Sequence, residues 1–395
     1  MKIQKIKIVG MGMAGLMFAS LLRKRIHTID IEIYYNPNIK PLPVGESTQP
    51  FVADFFRTIF DSDEEWMNEC NAMYKFYIQH ENWNEIDKIW YFPLYHESSK
   101  TSHFNKEDIF KYNKNYLPPH DRIAWNLQSN LLQPLLIKKC KELGVKFYEG
   151  DFKDIDCLDN EFIIDCRGFK GQENKTEVSP AIINDFAIAG RFPYNDKRYY
   201  TKTIAHQCGG WYWETPHQDT LGVGLVFNKD FLSIDNAKKF MNKLYGLEEF
   251  LEVPFITSYD KEPCTKKLLK IGSAAVFIEP LESTTLMIIN QMCNLFCMLF
   301  HQFSSVNDEF CKLFNFHYNK LIEGQINYVE GFYCMTERRD SEYWKYVSSH
   351  EKQYIEKLED VGWPYFYGEF GLNEFSTAFN CKDKLKNVKV KNYHI

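Results

Sequence analysis

Gly10-Met11-Gly12-Met13-Ala14-Gly15 is spaced to hold a dinucleotide. Each glycine has its own task. Gly10 makes a tight turn, Gly12 lets the backbone approach a pyrophosphate, and Gly15 lets a helix pack close to a sheet. The chemistry is anion binding, because the N–H groups and positive dipole end of a helix start face the phosphates. Met13 and Ala14 belong with the cofactor-binding set. The elements that must position this loop are also readable. Lys5–Val9 alternates and is β-branched, which predicts a strand; Leu16–Leu22 predicts a helix, and Ile29–Tyr35 a second strand. Strand, glycines, helix and strand in that order set the motif apart from a chance match. An acidic residue commonly ends the second strand to hold a ribose, whereas Tyr35 and Asn36 stand here. The competing reading is a fold of this kind that binds no ligand.

The chain has 395 residues, enough for one large core or two fused lobes. Hydrophobic residues at 45% and charged residues at 25% describe an ordinary soluble globular protein. A net charge of −6 offers no electrostatic attraction for nucleic acid or an anionic membrane. Aromatics at 16% fit either aromatic-lined interior surfaces or a base-composition bias in the source genome. The 11 cysteines form no repeated CxxC pair, so neither a zinc site nor a disulfide framework is expected. Cys70, Cys140, Cys157 and Cys166 fall in segments read as core or helix, and the set reads as reduced thiols of a cytoplasmic protein. The early lysines and apolar run imitate a signal peptide, but the three glycines explain that run otherwise. The most apolar helix expected, Leu286–Phe300, carries Asn290, Gln291 and Asn294 and reads as buried in protein. No repeat or low-complexity tract is present.

Further motifs follow in order. Pro43-Val44-Gly45-Glu46-Ser47-Thr48-Gln49-Pro50 resembles the Val-Gly-Glu-Ala-Thr-x-Pro strap of the flavin-dependent tryptophan halogenases. Asp63–Trp83, with Asn71-Ala72-Met73-Tyr74-Lys75 ahead of Asn82-Trp83, resembles the segment around that family's catalytic lysine. Asp165-Cys166-Arg167-Gly168-Phe169-Lys170-Gly171 closes an expected strand, Phe162–Asp165, and resembles the family's Asp-Cys-Ser-Gly-Phe-Arg-Gly. Trp211-Tyr212-Trp213-Glu214-Thr215-Pro216 resembles Trp-x-Trp-x-Ile-Pro. Phe277-Ile278-Glu279-Pro280-Leu281-Glu282-Ser283-Thr284 is similar to Phe-Val-Glu-Pro-Leu-Glu-Ser-Thr, with one Val-to-Ile exchange. Phe332-Tyr333, Arg339-Asp340 and Trp344 follow the family's downstream pattern. The ordered set, covering most of residues 1–345, is far more specific than any one match.

The resemblance implies an α/β fold: a Rossmann-type FAD-binding domain of the flavin monooxygenase and halogenase kind, fused to a mixed substrate-binding region. It implies that reduced FAD and O₂ oxidise a bound chloride or bromide, and that hypohalous acid crosses a closed tunnel to a small aromatic substrate. Lys75 meets that oxidant as an ammonium donor or as an amine. Its alternative reading is a surface lysine on a helix. Glu282, with Ser283, stabilises or deprotonates the ring intermediate or polarises the oxidant; its alternative is a helix-start carboxylate. Thr284 and Thr285 offer backbone N–H groups to the halide. Val44, Gly45, Glu46, Ser47, Asp165, Gly168, Gly272 and Leu286 complete the flavin contacts. Trp211, Trp213 and Pro216 wall the active site; the two tryptophans, at i and i+2, share a strand face and also read as core.

Two departures bear on activity. Thr285 stands where the family usually has Gly, so a flavin monooxygenase acting on an aromatic or alkene is the alternative. Only Asn84–Ile123 is available for the family's long insertion, and the C-terminal region is short, which leaves an indole-like substrate first by family alone. Trp363–Phe370 resembles the family's Tyr-Tyr-Gly-Asn-Phe neighbourhood. The tail from Cys381 reads as a solvated end. A non-catalytic FAD-binding protein is the third reading. No second dinucleotide motif is found, so a separate flavin reductase is the expected partner, and a homodimer is allowed. The chain is read as one discontinuous unit. FAD-binding segments are about 1–83, 125–171 and 265–300; substrate segments are about 84–124, 172–264 and 301–395.

Overall fold

In the computed structural model, which describes residues 3–39, 45–94, 124–150, 160–171, 178–196, 198–363 and 368–390, the strand, helix and strand around the glycines are all present. They span Lys5–Val9, Met13–Arg25 and Asp30–Tyr35. Ile6 and Ile8 alternate into the core and are fully buried. The first strand is central to a five-stranded sheet in which every pairing is parallel. Asp30–Tyr35 and then Lys146–Glu149 lie on one side, Glu161–Asp165 and then Leu268–Lys270 on the other. A strand so far along the chain as Leu268–Lys270 has no sequence-local reason to join this sheet. Parallel pairing through Glu161–Asp165 nonetheless puts its carboxyl end on the same sheet edge as that of the N-terminal strand, which is where ligands collect in open parallel sheets.

The second sheet has seven strands, in the order Leu251–Pro254, Phe186–Pro193, Thr220–Phe227, Trp211–Pro216, Tyr200–Ala205, Tyr77–Glu81 and Ile89–Pro93. Tyr77–Glu81, although within residues 1–83, pairs here, parallel to Tyr200–Ala205. A three-stranded sheet joins the two regions: Ala124–Gln128 is flanked antiparallel by Gly45–Ser47 and Met73–Lys75. The strap and the lysine segment are thereby fixed to one common strand.

The apolar helix runs Thr285–Phe303. It is long and apolar enough to span a membrane, yet most of it is buried, and it packs against Met13–Arg25, with Phe18 and Phe296 edge to face at 5.3 Å. It is a core helix, as its polar Asn290 suggested: that side chain donates to the Phe51 carbonyl at 2.8 Å and to Asp54 at 2.7 Å. The long helix Asp308–Cys334 covers it.

The tail corrects one expectation. Cys381, Leu385 and Val388 are buried, and the Trp363 N–H donates to the Lys389 carbonyl at 2.8 Å. The lysines between them obscure three apolar side chains that turns in the chain bring onto the core.

Gly10 and Gly15 carry the close packing. Gly10 has φ +112°, and a Cβ there would lie 2.4 Å from the Cys166 carbonyl oxygen; one on Gly15 would lie 2.1 Å from the Gly10 oxygen. Both clashes are with backbone, which cannot rotate away. Gly10→Ala is therefore expected to lose at least about 2 kcal/mol of stability. Flavin retention should fall with it, as checked by a thermal melt and an FAD titration; an alanine variant with an unchanged melt and FAD affinity would contradict this reading of the loop.

Candidate active site

The nucleotide end is built where parallel strands stop. The Cys166 N–H donates to the Val9 carbonyl at 2.8 Å and the Ile271 N–H to the Asp165 carbonyl at 2.9 Å, so three strand ends converge beside the glycine loop. Helix Met13–Arg25 starts from Gly12 with no side-chain cap and no acidic residue in its first turn. A Cβ on Gly12 would meet nothing within 4 Å. Open space in front of uncapped N–H groups fits a pyrophosphate. Met13 and Ala14 form the first turn, and Gly272, at φ +63°, brings its backbone against Ala14, where a Cβ would lie 2.7 Å away. Gly168, at φ +68°, borders open space. Asp165 is buried and accepts from Arg167 through its N–H at 3.0 Å and its guanidinium at 2.8 Å. Leu286 is buried at the start of the apolar helix. Val44 lies outside the described residues. The backbone of Gly45–Ser47 pairs with Ala124–Gln128, and Ser47 donates to Asn126 at 2.8 Å.

The chemical end joins residues some two hundred positions apart. Lys75 closes strand Met73–Lys75 and is 1% exposed, so the helix-surface reading of it is corrected. Its Nζ donates to Ser283 Oγ at 3.4 Å. Ser283 is left-handed, φ 57° and ψ 37°, which costs a non-glycine residue about 1–2 kcal/mol. That turn separates the short helical turn Pro280–Glu282 from helix Thr285–Phe303. Strain of this kind persists where surrounding structure enforces it, commonly at functional sites.

Thr285 itself is the first residue of the helix and has no positive φ. The left-handed backbone falls on Ser283, so nothing in the conformation at 285 calls for glycine. The helix has no side-chain cap, and Thr284 Oγ1 is buried with no hydrogen-bond partner among the described residues. The N–H groups of Thr284 and Thr285 thus stand at an uncapped helix start, suited to a halide.

Two buried glutamates three residues apart have opposite surroundings. Glu279 receives Trp211 Nε1 at 3.1 Å, Asn184 Nδ2 at 2.9 Å and the Tyr333 hydroxyl. Burial pushes it up to about 7 against those three donors. Glu282 is equally buried, yet neither carboxyl oxygen has a hydrogen-bond partner among the described residues. Burial pushes it up to about 8, offset in part by Lys75. Burial likewise pulls Lys75 down to about 7, offset in part by Glu282. Glu279 is a satisfied structural group; Glu282 is a buried carboxyl left open for something else.

Trp211 is buried and tied to Glu279. Trp213 is half-buried, 5.8 Å from it between ring centroids, and lies across Gly224, where a Cβ would be 2.0 Å from its ring. Pro216 ends the same strand, buried.

The motifs did not single out three residues that join this site. Gln49 Nε2 donates to the Glu282 backbone carbonyl, linking the strap to the main chain of the carboxylate-bearing turn. Glu279 anchors Trp211. His80 Nε2 stands 3.3 Å from Glu282 Oε1. Gln49 and Glu279 lie inside the motif segments, so their positions were visible though their contacts were not. His80 likewise lies inside the lysine segment, but nothing in that segment set it apart from its strand neighbours.

A glycine-loop flavin domain joined to a buried lysine–glutamate pair beside an uncapped helix start defines a flavin-dependent halogenase. A family model described as tryptophan halogenase matches residues 5–135 and 95–361, and the chain belongs to that family. Tryptophan 7-halogenase RebH of Lentzea aerocolonigenes is 25% identical over 87% of this chain and 78% of its own length. Tryptophan 6-halogenase ThaL of Streptomyces albogriseolus is 22% identical over 91% of this chain and 81% of its own. Among solved structures, a flavin-dependent halogenase from Xanthomonas campestris superposes with a TM-score of 0.86 at 18% identity, covering 96% of this chain and 90% of that one. The α/β fold expected from the motifs is the fold found.

Proposed function

We propose that this chain is an FADH₂-dependent halogenase that oxidises chloride or bromide with O₂ and halogenates an electron-rich aromatic, indole-like before others, through Lys75 and Glu282. The observation that carries this is the pairing of buried Lys75 and buried Glu282 beside the half-buried Ser283, with the carboxyl oxygens lacking a hydrogen-bond partner among the described residues. The glycine loop, the strap and the Asp165 and Gly272 segments hold the flavin, as one discontinuous unit with the segments between them. When bound, reduced flavin with O₂ supplies the oxidising power for the halide. Thr284 and Thr285 N–H groups bind the halide. Trp211 and Trp213 exclude water from the path between the two ends.

Lys75 receives the hypohalous acid. A lysine held near 7 is partly ammonium and partly amine at neutral pH, so it can donate to the oxidant's oxygen or accept its halogen. Glu282 accepts the ring proton as halogen replaces it. Reduced flavin comes from a separate reductase. The described cysteines are free thiols, all but Cys208 buried, which supports a cytoplasmic setting.

The test supplies the full chain with FAD, a flavin reductase, NADH and O₂, with bromide and chloride in separate reactions. Indoles and phenols are screened by mass spectrometry. A halogen isotope pattern on an aromatic is the expected result. Oxygenated product without halogen would replace this reading with a monooxygenase.

A further inference from the structure

A third titratable side chain is buried against the Lys75–Glu282 pair. His80 lies in strand Tyr77–Glu81 and is fully buried. Its ring is stacked on Trp90 at 4.1 Å between centroids and 14° between planes, with Phe332 at 5.1 Å. Its Nδ1 is 2.7 Å from Thr203 Oγ1, on the directly paired residue of the neighbouring strand. These contacts fix the ring and leave Nε2 aimed at Glu282, 3.3 Å from Oε1. Neither atom has a hydrogen-bond partner among the described residues, although the separation itself is within hydrogen-bond reach.

Among the described residues, the titratable groups facing Glu282 are Lys75, from strand Met73–Lys75, and His80, from strand Tyr77–Glu81. Burial, and then the Lys75 charge, keep His80 neutral by holding it well below its ordinary value. A neutral imidazole has one N–H, and its partner at one nitrogen decides which nitrogen carries it.

We propose that the Thr203 hydroxyl donates to Nδ1 of His80, which places the ring N–H on Nε2 and makes His80 the neutral donor that positions the Glu282 carboxylate. The inference rests on the reading of Glu282 as the proton acceptor in halogenation. In that step the proton leaves the ring carbon for Glu282 and the C–H electron pair returns to the ring. His80 keeps its own proton and stays neutral. It is a positioning residue: it steadies the anionic form of a carboxyl that is otherwise costly to ionise in this apolar pocket.

Two measurements on the full, FAD-loaded chain need no halogenation. In ¹⁵N-histidine NMR, the His80 signals, assigned by their loss in His80→Gln, are expected to report the Nε2–H tautomer; Thr203→Val should mix the tautomers. In infrared pH titration, the Glu282 carboxyl band is assigned by its loss in Glu282→Gln. In His80→Phe that carboxyl is expected to ionise at a pH about 1 higher than in the native protein. His80→Gln, whose amide can still donate, should recover most of the difference. The pH dependence of kcat should move the same way, with KM for the aromatic within about twofold. An Nδ1–H tautomer in the native protein, or an unmoved carboxyl titration in folded His80→Phe, overturns the proposal. If the spectroscopic shifts appear but the native chain halogenates nothing, His80 positions Glu282 and the halogenase reading is what fails.

Discussion

Lys75→Ala leaves a folded, flavin-binding protein whose halogenated product falls by about 10²–10³-fold or more, the scale of losing one preorganised donor in a closed site. The reason is placement. Among the described residues, Lys75 is the lysine or arginine that acts on Glu282, and it reaches Ser283 Oγ from a strand whose partner also carries the strap. Alanine removes the amine, and with it the charge that favours ionisation of Glu282. Flavin binding is set some way off by the glycine loop, so FAD affinity should stay within about twofold. Product by mass spectrometry and FAD titration read the two separately. Residual halogenation above a tenth of the native rate would remove Lys75 from the chemistry. Lys75→Arg is expected to recover little, since a guanidinium is larger, planar and never a neutral amine.

Glu282→Gln is expected to lower kcat by about 10²–10³-fold while altering stability in the opposite sense. The amide is nearly isosteric but cannot accept the ring proton. For stability, the sign follows from the folded value lying above the unfolded one. Between about 4.5 and about 8 the folded native protein holds a proton that the unfolded chain has released, so its stability falls as pH rises through that window. Glutamine carries no such cost. The variant should therefore gain over the native protein as pH rises from 5 to 8, reaching on the order of 3 kcal/mol before the Lys75 contribution is counted. Melts at several pH values test it. A variant less stable at pH 8 than at pH 5, relative to native, would mean that Lys75 holds Glu282 ionised and that the pair is a salt bridge. Opposite changes in activity and stability are the signature of a group kept for function at a cost to folding.

Several features were legible in the chain itself because their physics is local. Gly10, Gly12 and Gly15 stand at spacings a strand–turn–helix unit requires, so the unit could be drawn before any contact was known. The apolar helix was placed to within a few residues by its apolar run, and its polar residues Asn290, Gln291 and Asn294 marked it as buried in protein. Lys75 and Glu282 were legible only through the ordered motifs around them, since one lysine or one glutamate has no signature of its own.

What only the tertiary structure decided is the difference between neighbours that look alike in sequence. Glu279 and Glu282 are three residues apart in one motif; one accepts from Trp211, Asn184 and Tyr333, and the carboxyl of the other has no hydrogen-bond partner among the described residues. Those partners come from distant segments, and no local pattern encodes which carboxyl they reach. Thr285 raised a conformational question that its own identity could not answer, and the backbone answered it by placing the left-handed turn at Ser283. The tail beyond Cys381 read as solvated because its lysines dominate the composition, while three spaced apolar side chains dock it on the core. His80 depended wholly on folding. Its sequence neighbours are strand residues like any others. It faces Glu282 because strand Tyr77–Glu81 crosses into the seven-stranded sheet and pairs with Thr203. Motifs record chemistry that must recur at short range; the charge state and partners of each group are set by the segments that burial brings around it.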